Sequence, residues 1–247
     1  MYRIVVPARY ASTRLPGKAL LPLAGRPMIQ WVVERARRSN AREIVVATDD
    51  ERIAQAARAI GADVQLTAAT HASGSDRIAE VARLRGWGAA DIVVNLQGDE
   101  PLMPPALLDQ VAALLLHYPD AHIATLAVPL QSEAALMDPN VVKVVTDHQQ
   151  RALYFSRAPI PFGRDRSADA VAVGRRHLGL YAYRVQALQQ LAMTPPSALE
   201  RLEALEQLRA LERGMDIRVA QAQQVPGGDV NTQADVAHVE ALLLAGQ

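Results

Sequence analysis

A chain of 247 residues, half of them apolar, can bury the core of one large α/β domain or of a core domain with an inserted subregion. Lysine plus arginine balances aspartate plus glutamate at 26 each, so no overall charge draws the chain to nucleic acid or to an acidic membrane, and any such attraction must be local. There is no cysteine, which excludes disulfides, zinc–thiolate sites and thiol catalysis.

The opening residues MYRIVVP form a short apolar run soon interrupted by Arg9, Arg14 and Lys18, which is not the pattern of an export signal. Ile4-Val5-Val6 predicts a first buried strand. PMIQWVVERARR, residues 27–38, has helical spacing, with Pro27 suited to a first turn. A strand is expected over 43–48, a helix over 50–60 ending near Gly61, a short strand over 63–66 and a helix over 74–84. DIVVNL, residues 91–96, predicts a central strand, followed by a helix over 104–117 whose apolar run is too short to span a bilayer. Further strands are expected over 123–128, 141–145, 178–183 and 216–222. Residues 156–176, rich in Pro, Arg and Asp, predict a loop or mobile insertion. SALERLEALEQLRALE, residues 197–212, predicts one amphipathic helix, and residues 232–244 a closing helix with Thr232 as N-cap.

Strands alternating with helices predict a Rossmann-like α/β fold: a mostly parallel sheet with helices on both faces, here with a smaller, mixed sheet region in the middle of the chain. The chain reads as a single domain over 1–247, without a linker or repeat. Ligands of such sheets collect beyond the carboxyl ends of the strands, so the loops after Val6 and Leu96 are the places to search.

The first of these loops reads PARYASTRLPGK, with three cations, two hydroxyls and a glycine. Small residues let backbone N–H groups close around an anion, and Arg and Lys both suit phosphate oxygens. A solvated basic loop has the same composition; its place at the end of the first strand favours the phosphate site. It matches neither G-x-x-x-x-G-K-[ST] nor G-x-G-x-x-G, which disfavours a P-loop ATPase and an ordinary dinucleotide-binding dehydrogenase. The second loop reads LQGDEP. Gly98 permits a tight turn that projects Asp99 toward the first loop, where a hard carboxylate can hold Mg²⁺ shared with phosphates. A turn-forming Gly-Asp pair is common on its own account, so the motif gains meaning from its partner loop.

PARYASTRLPGKAL, ASGSDRIAEVA, VNLQGDEP, NVVKVV, ALYFSRAPIPF, HLGLYAYR and LEQLRAL occur in this order. Together they resemble the CMP-Kdo synthetase family, the 3-deoxy-manno-octulosonate cytidylyltransferases, from Tyr2 to about Asp235. The resemblance implies a nucleotidyltransferase fold (GT-A-like) and transfer of CMP from CTP to 3-deoxy-D-manno-octulosonate (Kdo), with release of pyrophosphate, for lipopolysaccharide assembly. It implies Mg²⁺ as cofactor, a homodimer in the cytoplasm, CTP and Kdo as small-molecule substrates, and neither nucleic acid nor membrane as a partner. Residues of about 129–222 would include the sugar-binding and dimerisation subregion.

By motif matching, the resemblance implies catalytic roles for Arg9, Lys18 and Asp99. Arg9, Ser12 and Lys18 would contact the triphosphate, and Ala8, Ser73 and Gln97 would read cytosine and ribose. Arg14, Arg77, His177, Tyr181, Glu206 and Gln207 would lie on the sugar side, with Arg157 a weaker candidate. Read from their surroundings alone, Tyr181 fits a core strand, Glu206 an ordinary surface pair with Arg209 or Arg213, and Arg77 a pair with a neighbouring acid. The metal would be held by Asp99 and by the residue at position 231. There the chain departs from the family: GGDVNT carries Asn231 where an aspartate is usual, with Asp229 two residues away as a substitute. Arg201 stands where the family has histidine. The first loop and QGDEP are partly shared with relatives that activate sialic acids. The rival readings are therefore a cytidylyltransferase for a sialic acid or an amino variant of Kdo, and a catalytically silent nucleotide-binding homologue.

Overall fold

The computed structural model describes residues 1–11, 15–165 and 167–245. In chain order its elements are β1 (Tyr2–Ala8), a 3-10 turn (Lys18–Leu20), β2 (Pro22–Leu23), β3 (Arg26–Pro27), α1 (Met28–Arg37), β4 (Glu43–Thr48), α2 (Glu51–Ala59), β5 (Asp63–Leu66), α3 (Gly74–Leu84), β6 (Ile92–Asn95) and α4 (Pro105–His117). There follow β7 (Ile123–Pro129), α5 (Glu133–Met137), β8 (Lys143–Thr146), β9 (Ala152–Ser156), α6 (Ser167–Val173), β10 (Arg175–Arg184), α7 (Val185–Met193), α8 (Ala198–Glu203), α9 (Gln207–Glu212), β11 (Ile217–Gln221) and α10 (Gln233–Ala245).

Alternation within β1 builds the layers. Ile4 and Val6 point into one core, with Ile29 and Val32 of α1 and Leu107, Leu108 and Val111 of α4. Val5 points into the other, with Ile78 and Val81 of α3 and Leu188 and Leu191 of α7. Successive strand side chains face opposite sides, so a strand covered on both sides must be apolar throughout. Each such side chain contributes about 1.5–3 kcal/mol on burial.

Among the described residues the main sheet runs β11-β7-β10-β6-β1-β4-β5. The pairs of β1 with β4 and β6, of β4 with β5 and of β7 with β11 are parallel. β10 lies antiparallel between β6 and β7, and its start also pairs with β8, which forms a hairpin with β9. Local patterning shows neither relation, because β10 is far along the chain from both strands it joins.

Two expectations need correction. The stretch expected to be loop contains α6, whose Ala170 packs with Leu130 and Leu136 in a small core of its own. The helix expected over 197–212 is two: α8 ends at Ala204, in the left-handed region at φ 51°, and α9 starts after Glu206. The break buries Leu205 and Leu208 in the second core and turns Glu206 toward Ser75, a tertiary gain that outweighs helix propensity.

Candidate active site

β1 and β6 leave the sheet side by side. Leu96 N–H donates to Val5 O at 3.1 Å, so LQGD runs past Pro7 and Ala8. The approach is so close that a Cβ on Gly98 would lie 3.0 Å from Pro7 O, and only glycine fits without a shift. The first loop closes on itself where Gly17, at φ 70°, donates its N–H to Tyr10 O at 2.9 Å. The Tyr10 ring lies against Gly17 and carries the Arg52 guanidinium 3.4 Å from its centroid.

Lys18 and Asp99, 81 positions apart, meet in this crevice: Lys18 Nζ donates to Asp99 Oδ2 at 2.6 Å, to Val230 O at 2.6 Å and to Asn231 Oδ1 at 3.2 Å. Val230 N–H donates in turn to Asp99 O at 2.9 Å, which ties the C-terminal segment to the LQGD turn. A carboxylate, a carbonyl and an amide oxygen thus converge on one cation. Beside them, burial and then the charges of Asp99 and Asp229 push the Glu100 carboxyl up to about 8, and its buried Oε2 has no partner.

Lys18, Asp99 and Asn231 border a cavity of about 320 Å³. Ala8, Arg9 and Lys18 line it from the first loop, His71, Ser73, Gly74 and Arg77 from the start of α3, Gln97, Gly98 and Asp99 from the second loop, and Asn231 from the C-terminal segment. Ser73 caps α3: its Oγ accepts Asp76 N–H at 3.2 Å, and Asp76 Oδ2 accepts Ser73 N–H at 3.2 Å. His71 Nε2 lies 2.6 Å from Glu80 Oε2. Arg77 is buried, with its guanidinium 3.1 Å from Asp49 Oδ2 and bonded to Thr67 Oγ1, so it lines the cavity while remaining paired.

A second cavity, of about 90 Å³, shares Gly74 and Gln97 with the first. Its walls include Asn95, Tyr181, Tyr183, Ser75, Glu206 and Gln207. Glu206 Oε1 accepts from Ser75 Oγ and lies 3.6 Å from Arg209 Nη2. Burial pushes the Glu206 carboxyl up. Burial also pushes the Tyr181 and Tyr183 phenols well above their ordinary value, so both stay protonated donors. Asn95 Oδ1 and Gln207 Nε2 are buried without a protein partner. A pocket of hydroxyls, amides and one carboxyl suits a polyhydroxylated ligand.

The structure therefore gathers Ala8, Arg9, Lys18, Ser73, Arg77, Gln97, Asp99 and Asn231 around the first cavity, and Tyr181, Glu206 and Gln207 around the second. Ser12 and Arg14 lie outside the described residues. His177 lines neither cavity. Its Nε2 is 2.9 Å from Thr125 Oγ1, its ring packs 5.0 Å from Phe155 and 5.2 Å from Tyr181, and burial pushes it down to about 3. The neutral ring packs beside Tyr181. Asp229 does not line the cavity; its Oδ2 accepts from Asn231 Nδ2. Arg157 binds Glu203 O at 2.6 Å and Pro139 O at 2.8 Å, holding β9 to the end of α8. Sequence reasoning missed Ser75, Asn95, Tyr183 and the Val230 carbonyl. Tyr183 had a signal, since it shares a strand face with Tyr181 two residues before it.

The donors around Lys18 fit a magnesium ion. They are hard oxygens already closed on a cation, of the kinds that Mg²⁺ accepts. The set is mixed, and among the described residues no group of three or more His, Cys, Asp or Glu is placed to hold a metal.

A cationic loop facing an oxygen-rich clasp, beyond the ends of parallel strands, defines a nucleotide-binding α/β protein. The cytidylyltransferase family model matches residues 3–217. The chain is 56% identical over 248 residues to the 3-deoxy-manno-octulosonate cytidylyltransferase of Thioalkalivibrio sulfidiphilus, covering 99% of both chains. It is 52% identical over 250 residues to that of Pseudomonas syringae pv. tomato, covering 99% of this chain and 98% of the other. It matches the structure of a CMP:2-keto-3-deoxy-manno-octonic acid synthetase complexed with CTP at a TM-score of 0.93 and 42% identity, over 100% of both chains. The chain belongs to the 3-deoxy-manno-octulosonate cytidylyltransferase family of cytidylyltransferases.

Proposed function

We propose that this chain transfers CMP from CTP to the anomeric hydroxyl of 3-deoxy-D-manno-octulosonate, for lipopolysaccharide assembly. The observation that carries the reading is the seam between the cavities: Gly74 and Gln97 border both, so a nucleotide in one and an acid sugar in the other meet there. The full-length relatives named for this reaction support the choice of substrates.

In the reaction the anomeric oxygen forms a bond to the α-phosphorus of CTP, the bond from that phosphorus to the β-bridging oxygen breaks, and pyrophosphate leaves. The hydroxyl proton passes to water. Arg9 and Lys18 bind the triphosphate and take up negative charge growing on the leaving group. Ala8, Ser73 and Gln97 form the cytosine and ribose side, with Ser12 joining the phosphate contacts. Tyr181, Glu206, Gln207 and Arg77 orient the acid sugar, so that catalysis is mainly positioning and electrostatics. Asp99, Asn231 and the Val230 carbonyl are the residues that would hold Mg²⁺. When bound, the ion screens the triphosphate and stabilises charge on the departing pyrophosphate.

We place the protein in the cytoplasm as a homodimer. Among the described residues no helix is long and apolar enough to cross a membrane. Leu153, Phe162 and Val173, 61%, 81% and 68% exposed within residues 129–222, support an interface there. The test is pyrophosphate release with CTP and Mg²⁺, offered Kdo, its amino variant or a sialic acid in turn. Turnover with Kdo well above the others is the expected result. Turnover with another acid alone redirects the assignment, and CTP binding without turnover on any acid refutes it.

A further inference from the structure

An asparagine in an oxygen clasp has a weakness that an aspartate lacks. Half a turn about its last torsion replaces the acceptor oxygen with an NH₂ group, whose hydrogens would face the cation. The backbone on either side of that side chain is held. Asn231 N–H is held by Asp235 Oδ2 at 2.9 Å, and the preceding Val230 N–H by Asp99 O at 2.9 Å. Asp229 closes the remaining freedom. Its Oδ2 accepts from Asn231 Nδ2, which leaves Asn231 Oδ1 facing Lys18 Nζ at 3.2 Å. Gly228, just before Asp229, has φ 103°, a backbone conformation that favours glycine.

Because Asp229 is outside the cavity and engaged with the amide, it is not a ligand in waiting. We infer that Asp229 is a positioning residue: it fixes the amide of Asn231 with its oxygen toward the cation, and the two together do the work of one carboxylate. Its negative charge also polarises the amide from behind, making Oδ1 a better ligand, as outer partners of metal ligands do. The charge of the clasp is thus conserved, carried one residue further out.

This inference rests on the metal-dependent transfer proposed above, and its test separates the two. Mn²⁺, followed by its paramagnetic resonance signal, serves as probe on the full chain with CTP present. Asp229→Asn is expected to weaken Mn²⁺ binding about tenfold, the lower end for losing an outer partner, while CTP affinity measured in chelator stays unchanged. Adding Asn231→Asp to that variant is expected to restore Mn²⁺ affinity, because a carboxylate needs no orientation. A merely structural Asp229 would lower the melting temperature of both variants alike and show no such rescue. Unchanged Mn²⁺ affinity in Asp229→Asn, or failure of the second change to restore it, overturns the inference. Pyrophosphate release by the wild type is measured alongside: if it proceeds normally with Kdo while the Mn²⁺ results fail, the positioning role alone is lost. If the wild type acts on no acid, the transfer reading falls whatever the Mn²⁺ data show.

Discussion

Lys18 Nζ sits 2.6 Å from Asp99 Oδ2, inside the oxygen set that suits a divalent ion. Ammonium and metal cannot both hold those oxygens closely, so the free protein is expected to bind metal weakly. Triphosphate oxygens give the lysine another partner, and metal and CTP should therefore bind with positive linkage. Lys18→Met is expected to strengthen Mn²⁺ binding to the CTP-free protein while lowering turnover by about 100-fold or more, the scale of losing one charge-stabilising donor. Calorimetry and initial rates check the two halves. Weaker metal binding in the variant would contradict the competition.

Among the described residues Asp99 is the only carboxylate bonded to that ammonium, and Asp99→Ala is expected to abolish turnover with the circular dichroism spectrum of the wild type. Near-normal rates in the folded variant would remove Asp99 from the metal role.

Gly98 has a steric task that can be measured. Gly98→Ala places a Cβ 3.0 Å from Pro7 O, a backbone atom that cannot swing aside. The two loops must then part, at a cost of about 1–3 kcal/mol, read by urea denaturation. CTP affinity should fall with it, since Ala8 and Gln97 line the same cavity.

Glu206 is expected to act on the acid sugar and not on the nucleotide. Glu206→Gln keeps the shape but alters the acceptor offered to sugar hydroxyls and to Ser75. The KM for Kdo should rise about tenfold, the scale of a hydrogen bond to a charged group, while the KM for CTP holds. An equal rise in both constants would contradict the division between cavities.

His177 bears on stability below neutrality. Its folded pKa is about 3, depressed by burial below the ordinary 6.5. The unfolded chain takes up a proton below about pH 6.5 while the native ring stays neutral. The stability tied to this ring is therefore fully present above about pH 6.5 and is lost as pH falls toward 3, at about 1.4 kcal/mol per pH unit. In His177→Gln the decline between pH 6.5 and 4.5 should be shallower by that slope, measured by denaturant titration at several pH values.

The first hundred residues were the legible part of this chain. There β1, β4 and β6 are short apolar runs, each helix has its period, and β4 pairs with β1 and β5 on either side of it. The opening loop and LQGDEP could be placed on one crevice because a parallel sheet brings successive strand ends together. Residues 175–212 were harder. The HLGLYAYR run shows a strand but not that it lies antiparallel between β6 and β7. The continuous amphipathic pattern of 197–212 hides the break at Ala204, which is set by burial of Leu205 and by Ser75. The family resemblance puts His177 on the sugar side, and its ring packs between Phe155 and Tyr181 outside both cavities, next to a bulge at Gly179 and Leu180 where Thr125 bonds His177 Nε2, Leu178 O and Leu180 O. The pairing of Asp229 with Asn231 depends on one torsion, which no pattern of residue types reports.

The late arrival of β10 orders the birth of the enzyme. On a ribosome, β1, β4, β5 and β6 emerge and can pair among themselves, with the nucleotide crevice roughed out at their ends. About eighty further residues must be made after Asn95 before β10 begins at Arg175, several seconds of elongation at typical speeds. Until then one edge of β6 and both edges of β7 are bare, since β11 is made later still, and such edges invite foreign strands. A nascent or prematurely stopped chain would thus carry the loops of the nucleotide crevice without the Val230 and Asn231 oxygens that complete the clasp, and without the acceptor pocket, with its stickiest surface at the place where β10 later docks.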